Sequence, residues 1–241
     1  MNPSHDKVKL RIRRFDPKTD LKPRYDNFTI PNRPRMTVLD ALFHVLEKQD
    51  GSLAFRYSCR SAVCGSCAMF INGRQRLACR TQTSTLGRNI TIGPLPHLPI
   101  IRDLVVDLTP FFHKIDMIKP YFEAQEPLPI REILQSPKDR EAIDVTVDCI
   151  DCAACYSACP MTWTNANYPG PAALLKAARF IRDTRDSTTT QRLALIALED
   201  GIWRCHTVFN CADACPKSLN PTKYIQYLKR RATTKPRAKL S

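Results

Sequence analysis

Apolar and basic residues alternate along 7–13, reading Lys-Val-Lys-Leu-Arg-Ile-Arg. A period of two puts Val8, Leu10 and Ile12 on one side of an extended chain and predicts a strand buried on one face. A second short strand is expected at 28–30, stopping at Pro31. From Val38 the period lengthens. Val38, Leu39, Leu42, Phe43, Val45 and Leu46 form a helical stripe, with Thr37 as N-cap and Asp40 three residues on, a variant of the capping box. His44 lies inside this helix without a partner motif and reads as structural. The chain then reverses through apolar 68–71, the Asn72-Gly73 pair that suits a tight hairpin, and 75–79. A further strand at 89–92 returns to the sheet, giving one amphipathic helix packed on a sheet.

Pro94, Pro96 and Pro99 mark a stiff connection, and beyond it the pattern is helical. A short helix is expected at 130–134. Another starts at Pro171 and carries Ala173, Leu174, Ala177, Phe180 and Ile181, and a third covers 191–198, ending near Gly201. Asn220 and Pro221 suit the cap and first residue of a last helix at 222–231. The fold class is α+β, with a boundary near 103–110. Residues 1–106 form a sheet-bearing domain, and 107–241 form a helical domain that ends in a basic tail.

The cysteines change this picture from architecture to chemistry. Cys149, Cys152, Cys155 and Cys159-Pro160 follow the C-x2-C-x2-C-x3-C-P spacing, in which three thiolates hold one iron-sulfur cube and the fourth reaches a neighbouring cluster. The second run is Cys205, Cys211 and Cys215-Pro216, with Val208 where a second cysteine would stand. Exchanging the last cysteine of each run gives a four-thiolate site (Cys149, Cys152, Cys155, Cys215) and a three-thiolate site (Cys159, Cys205, Cys211). This pattern reads as a 4Fe-4S cluster beside a 3Fe-4S cluster. Upstream, Cys59, Cys64, Cys67 and Cys79 follow the plant-type 2Fe-2S spacing. The loop 56–66 must wrap that cluster with its amides turned inward, and Gly65 permits the dihedrals this needs. Structural zinc wants two pairs of ligands, which fits these runs poorly. The three sites use all eleven cysteines.

An odd number of cysteines, bunched too tightly for a disulfide framework, argues for a reducing compartment. The first six residues show no signal peptide, so a cytoplasmic location is expected. No stretch reaches the ~18–20 apolar residues that span a bilayer, so any membrane connection is peripheral or through a partner. The formal charge of +14 counts cysteines as neutral. Each cluster brings roughly −2, so the loaded chain is less basic. With no recognised nucleic-acid module and no aromatic-interleaved basic stripe, the surplus suits an anionic membrane surface or an acidic partner rather than nucleic acid.

There is no glycine-rich dinucleotide fingerprint, no P-loop and no acid-base constellation. Three redox centres without a substrate site describe a conductor between two other sites. The order of motifs, with valine in the open position, resembles the iron-sulfur subunit of the succinate dehydrogenase and fumarate reductase family. The likeness includes Arg56-Tyr57-Ser58-Cys59-Arg60-Ser61, Gly170-Pro171-Ala172-Ala173 and Cys215-Pro216-Lys217. It implies a β-grasp, plant-type ferredoxin-like domain followed by an all-helical domain like a bacterial two-cluster ferredoxin. It also implies a flavoprotein subunit bearing FAD near the 2Fe-2S cluster, and membrane-anchor subunits and quinone near the 3Fe-4S cluster. The implied location is the cytoplasmic face of a prokaryotic inner membrane.

The same resemblance places part of the quinone pocket at 161–164. Trp163 matches the first of two tryptophans in the mitochondrial-type pattern, whereas Thr164 replaces the second and Met161 replaces its serine. His206 matches a position near the quinone or heme edge. Two rival readings share the cysteines: a quinol:fumarate reductase subunit running in the opposite direction, and a soluble multi-cluster carrier. A subunit coupled to heterodisulfide or another acceptor is a further relative of the pattern.

Overall fold

The computed structural model describes residues 7–234. The basic tail from Lys235 onward and the first six residues lie outside the described residues. Two compact units divide the chain, one formed by Met1–Leu108 with Ile150–Ala158, the other by Thr109–Cys149 with Cys159–Ser241.

The first unit is built on a five-stranded sheet and one long helix. Strands β1 (Lys7–Arg14), β2 (Arg24–Pro31), β3 (Ala68–Ile71), β4 (Arg74–Leu77) and β5 (Asn89–Gly93) lie in the order β2-β1-β5-β3-β4. β1 and β5 run parallel and the other pairs antiparallel. In β1 the alternation is realised residue by residue: Val8, Leu10 and Ile12 are buried and Lys7, Lys9 and Arg11 exposed. Ile30, Ile71, Ile90 and Ile92 join that inner face, and helix α1 (Val38–Lys48) covers it with Val38, Leu39, Leu42 and Val45. The capping box forms in full, the Thr37 hydroxyl accepting from the Asp40 amide at 3.1 Å and the Asp40 carboxylate from the Thr37 amide at 2.9 Å. Asn72 and Gly73 take φ of 47° and 78°, the paired left-handed values of the tight hairpin turn.

Arg14 ends β1 pointing into the protein, 3% exposed, and gathers the loops around the sheet's rim. Its guanidinium meets Asp103 at 3.0 Å, Asp26 at 3.4 Å, and Asp50. Asp103 in turn accepts from the amides of Phe15 and Ala54, each at 3.0 Å. The Ser52 hydroxyl, ahead of its amide and Arg14, holds the Asp50 carboxyl down to about 2. That carboxylate's contribution to folding is therefore full above the ordinary carboxylate range and is lost as pH falls toward 2.

The second unit is helical among its described residues. Gly170–Arg182 lies at its centre, with helices Thr109–Asp116, Pro137–Val147, Thr189–Ile196 and Pro221–Thr234 packed around it. Ala172, Ala173, Ala177 and Ala178 are buried, and small side chains on several faces let neighbours approach all round. The last helix begins at Pro221 as expected, with Asn220 accepting from the Lys223 amide at 3.0 Å. The short helix expected at 130–134 is absent. Ile130 is 106% exposed and Leu134 87%, so no apolar face is covered there, and one isolated turn cannot repay its nucleation cost.

Arg192 is 1% exposed and holds the stretch that follows the first helix of this unit. It pairs with buried Asp186 at 2.9 Å and donates to the carbonyls of Ile118 at 2.9 Å, Tyr121 at 2.8 Å, and Lys119. Replacing it by methionine keeps the bulk but leaves a buried carboxylate and three carbonyls short of a donor. Arg192→Met is expected to destabilise the helical unit by about 3–5 kcal/mol, read as a lowered denaturant midpoint with an unchanged slope.

Candidate metal centres

The cysteine-bearing loops share one backbone device. Residues with left-handed φ recur at every second position: Arg60 and Ala62 (each 57°), Asp151 (53°) and Ala153 (60°), Thr207 (60°) and Phe209 (66°). Left-handed residues that alternate with right-handed ones turn successive amides to the same side and make a concave anion site, and in the first loop such convergence is seen. These residues are not glycine, so each carries a conformational cost that its surroundings must overcome.

In the first loop the amides meet sulfur. Cys59 Sγ accepts from the N–H groups of Ser61 and Val63 at 3.4 Å and of Cys64 at 3.3 Å. Cys64 Sγ accepts from the Cys59 amide, and Cys67 Sγ from the Cys79 amide, both at 3.5 Å. The thiols differ in acidity. Burial pushes Cys64 up, but hydrogen bonds led by the Ser66 hydroxyl outweigh it and lower that thiol to about 6. Burial pushes Cys67 up to about 12. Aromatic rings tie the loop to α1. The rings of Phe43 and Tyr57 meet edge-on at 4.6 Å, and the Arg60 guanidinium lies over both, at 4.8 and 5.5 Å.

Cys152 and Cys155 lie in Ile150–Ala158, which packs with the first unit; Ser157 donates to the Pro96 carbonyl at 2.8 Å. Cys149 belongs to the second unit, as does Cys215, whose sulfur accepts from the Leu219 amide at 3.4 Å.

Cys159, Cys205 and Cys211 converge on one cavity of about 300 Å³, mouth included, in the second unit. Val208, His206 and Thr222 line it as well. Trp163 does not; it is 47% exposed on the short helix Pro160–Thr164. Burial pushes Cys159 up to about 11 and raises Cys211, opposed at Cys211 by Thr222. Thiols held protonated by burial release their protons on binding a cation, which suits metal ligands better than free nucleophiles.

One face of the last helix serves this loop, and the sequence reading missed it. Thr222 Oγ1 is 3.2 Å from Cys211 Sγ, Gln226 donates to Thr207 Oγ1 at 2.9 Å, and Lys229 donates to the Cys205 carbonyl at 2.8 Å. The spacing of these three, four and then three residues apart along a helix, is the signal that could have found them. Among the described residues no three His, Cys, Asp or Glu side chains close around a single point as ligands of one ion do. In a 2Fe-2S cluster two thiolates bind each iron and in a 4Fe-4S or 3Fe-4S cluster each binds its own, so the thiolates stand around the group and sets of four and three cysteines fit clusters.

Two family models match. A 2Fe-2S iron-sulfur cluster binding domain covers residues 9–113, and a 4Fe-4S dicluster domain covers 146–219. The succinate dehydrogenase iron-sulfur subunit of Paracoccus denitrificans is 42% identical over 223 residues, 92% of this chain and 86% of that protein. The mitochondrial succinate dehydrogenase [ubiquinone] iron-sulfur subunit 1 of Oryza sativa subsp. japonica is 47% identical over 196 residues, covering 80% of this chain and 70% of that one. A chain of the Mycobacterium smegmatis Sdh1 complex in the apo form superposes with a TM-score of 0.87 at 27% identity, covering 98% of this chain and 99% of that one.

Proposed function

Because the chain belongs to the family of succinate dehydrogenase iron-sulfur subunits, we propose a ligand for every iron site. Cys59, Cys64, Cys67 and Cys79 hold the 2Fe-2S cluster. Cys149, Cys152, Cys155 and Cys215 hold the 4Fe-4S cluster, and Cys159, Cys205 and Cys211 the 3Fe-4S cluster. The subunit carries these three clusters and conducts electrons in a succinate:quinone oxidoreductase, working with a flavoprotein subunit, membrane-anchor subunits and quinone. Each cluster, when bound, takes up and gives back one electron at a time.

The observation that carries the assignment is Val208 lining one cavity with three thiols. A branched apolar side chain offers iron no donor, so this corner of the site has none from the protein. His206 lines the same cavity and is exposed, which supports a place for it at the quinone edge. Trp163, exposed on the helix that follows Cys159, supports the same edge. Thr164 stands where the mitochondrial-type pattern has its second tryptophan and Met161 where it has a serine, which argues against a mitochondrial-type ubiquinone pocket.

Among the described residues no helix is long and apolar enough to cross a membrane. The complex is membrane-associated, and we place this subunit on the cytoplasmic face of a prokaryotic inner membrane, held by its anchors. Eleven free cysteines support a reducing compartment. The units Met1–Leu108 and Thr109–Cys149 support a boundary near 106.

Four measurements test this reading. The purified complex should hold about nine irons and about ten acid-labile sulfides in this subunit, and the isolated subunit should not oxidise succinate. Zinc, or only two clusters, would defeat it. Val208→Cys should complete the C-x2-C-x2-C-x3-C-P run, convert the three-iron centre to 4Fe-4S and lower its potential, each ~59 mV of the drop being a tenfold shift away from the reduced form. The paramagnetic signal of the oxidised three-iron centre should vanish; its persistence in a fully loaded variant would show that geometry, not the missing thiolate, sets cluster type. Thr222→Val removes the hydroxyl from Cys211. Losing one hydrogen bond of about 0.5–1.5 kcal/mol corresponds to a midpoint roughly 20–65 mV lower for that centre alone, read by redox titration.

A further inference from the structure

Gly65 stands between Cys64 and Cys67 with φ of +74°, and it does more there than permit a turn. A Cβ at this position would lie 2.8 Å from Cys152 Cβ, 2.9 Å from Cys152 Cα and 2.8 Å from the Ile150 carbonyl oxygen. Two of these three atoms are backbone, so no rotamer change relieves the overlap. The segment they belong to is itself fixed. Ile150 and Cys152 pack against the sheet core, Asp151 and Ala153 are left-handed, and Ser157 is bonded to the Pro96 carbonyl. A side chain at 65 must therefore push two stiff loops apart.

Resting on the ligand assignment above, we propose that Gly65 is a positioning residue. Its missing side chain lets the loop of Cys59, Cys64 and Cys67 rest directly on the backbone of Cys152, and so sets the separation of the 2Fe-2S and 4Fe-4S groups. One electron crosses at this contact, with no bond made or broken and no proton moved. Tunnelling falls exponentially with distance, so the absence of one methyl group governs how fast the two groups exchange.

The test uses the whole purified complex. In Gly65→Ala, with iron and sulfide unchanged, the relaxation enhancement that the reduced 4Fe-4S group imposes on the paramagnetic signal of the reduced 2Fe-2S group should fall several-fold. Electrons from succinate should still reach the 2Fe-2S group at the original rate and the next group more slowly. Gly73→Ala is the control. It carries the same left-handed strain, φ +78°, with nothing within 4 Å of its Cβ, and should leave the enhancement unchanged. A fully loaded Gly65→Ala complex with unaltered relaxation and rates would overturn the proposal. If that variant fails to load while Gly73→Ala loads, the unmodified complex decides: strong enhancement supports the contact and none overturns it. Absence of either signal from the unmodified complex would instead overturn the ligand assignment, and this inference with it.

Discussion

Three stretches of non-glycine backbone are held left-handed at alternate positions beside the cysteines, in the first of them with amides facing sulfur, and neighbouring side chains hold them so. Each such residue costs on the order of 1–3 kcal/mol, and six of them cluster at the cysteines. Nothing local in Arg-Ser-Ala or Thr-Val-Phe favours this conformation. The cost is met from outside the loops: Phe43 on α1 under Arg60 and Tyr57, Ser157 on Pro96, and Thr222, Gln226 and Lys229 from the last helix. Sheet and helices thus act as clamps, and the loops are the object they clamp.

The same logic governs charge. Burial disfavours the thiolate at Cys67, Cys159 and Cys211 and raises each of these thiols. A bound cluster would take these sulfurs as thiolates in place of their protons, and backbone amides such as those on Cys59 and Cys215 would supply the hydrogen bonds that water gives a free thiolate. At roughly −2 per cluster, the formal +14 of the chain drops to about +8 on loading.

Much of this was legible in the residues. The period-two alternation of β1, the capping box of α1, the Asn72-Gly73 hairpin and the cap of the last helix all appeared as read, because each rests on local chemistry that no distant contact overrides. Cysteine spacing carried the cluster types for the same reason. Other features needed the fold. Helix Pro137–Val147 starts from a Ser136 cap with Pro137 behind it, a readable signal, yet its weakly amphipathic residues gave no stripe. The turn expected at 130–134 failed because apolar spacing alone does not bury a face. The grouping of Ile150–Ala158 with the sheet unit was invisible, since it rests on contacts between residues far apart in sequence, among them Gly65 with Cys152 and Ser157 with Pro96. Arg60 and Ala62 as left-handed residues could not be guessed either, because their types argue against it.

One backbone solution on unrelated sequences explains how a single chain can carry centres of different character. Since the cradle is common, what distinguishes the centres is the number of thiolates, the enclosure and the donors beyond the backbone. In the first loop Cys64 is exposed and its partner Cys59 takes three amide bonds, leaving that site open to solvent and rich in dipoles. The third loop lies against a cavity with Cys205 and Cys211 buried, gains a side-chain hydroxyl, and lacks a fourth thiolate. Fewer anionic ligands and an added donor both favour the reduced form, whereas burial of a negatively charged group opposes it. In the third site the missing thiolate goes with a missing iron, so the net charge stays at roughly −2, and the hydroxyl donor at Cys211 works against burial. On the ligand assignment proposed above, Val208 acts by withholding a fourth donor and so through cluster type, one of the levers on potential.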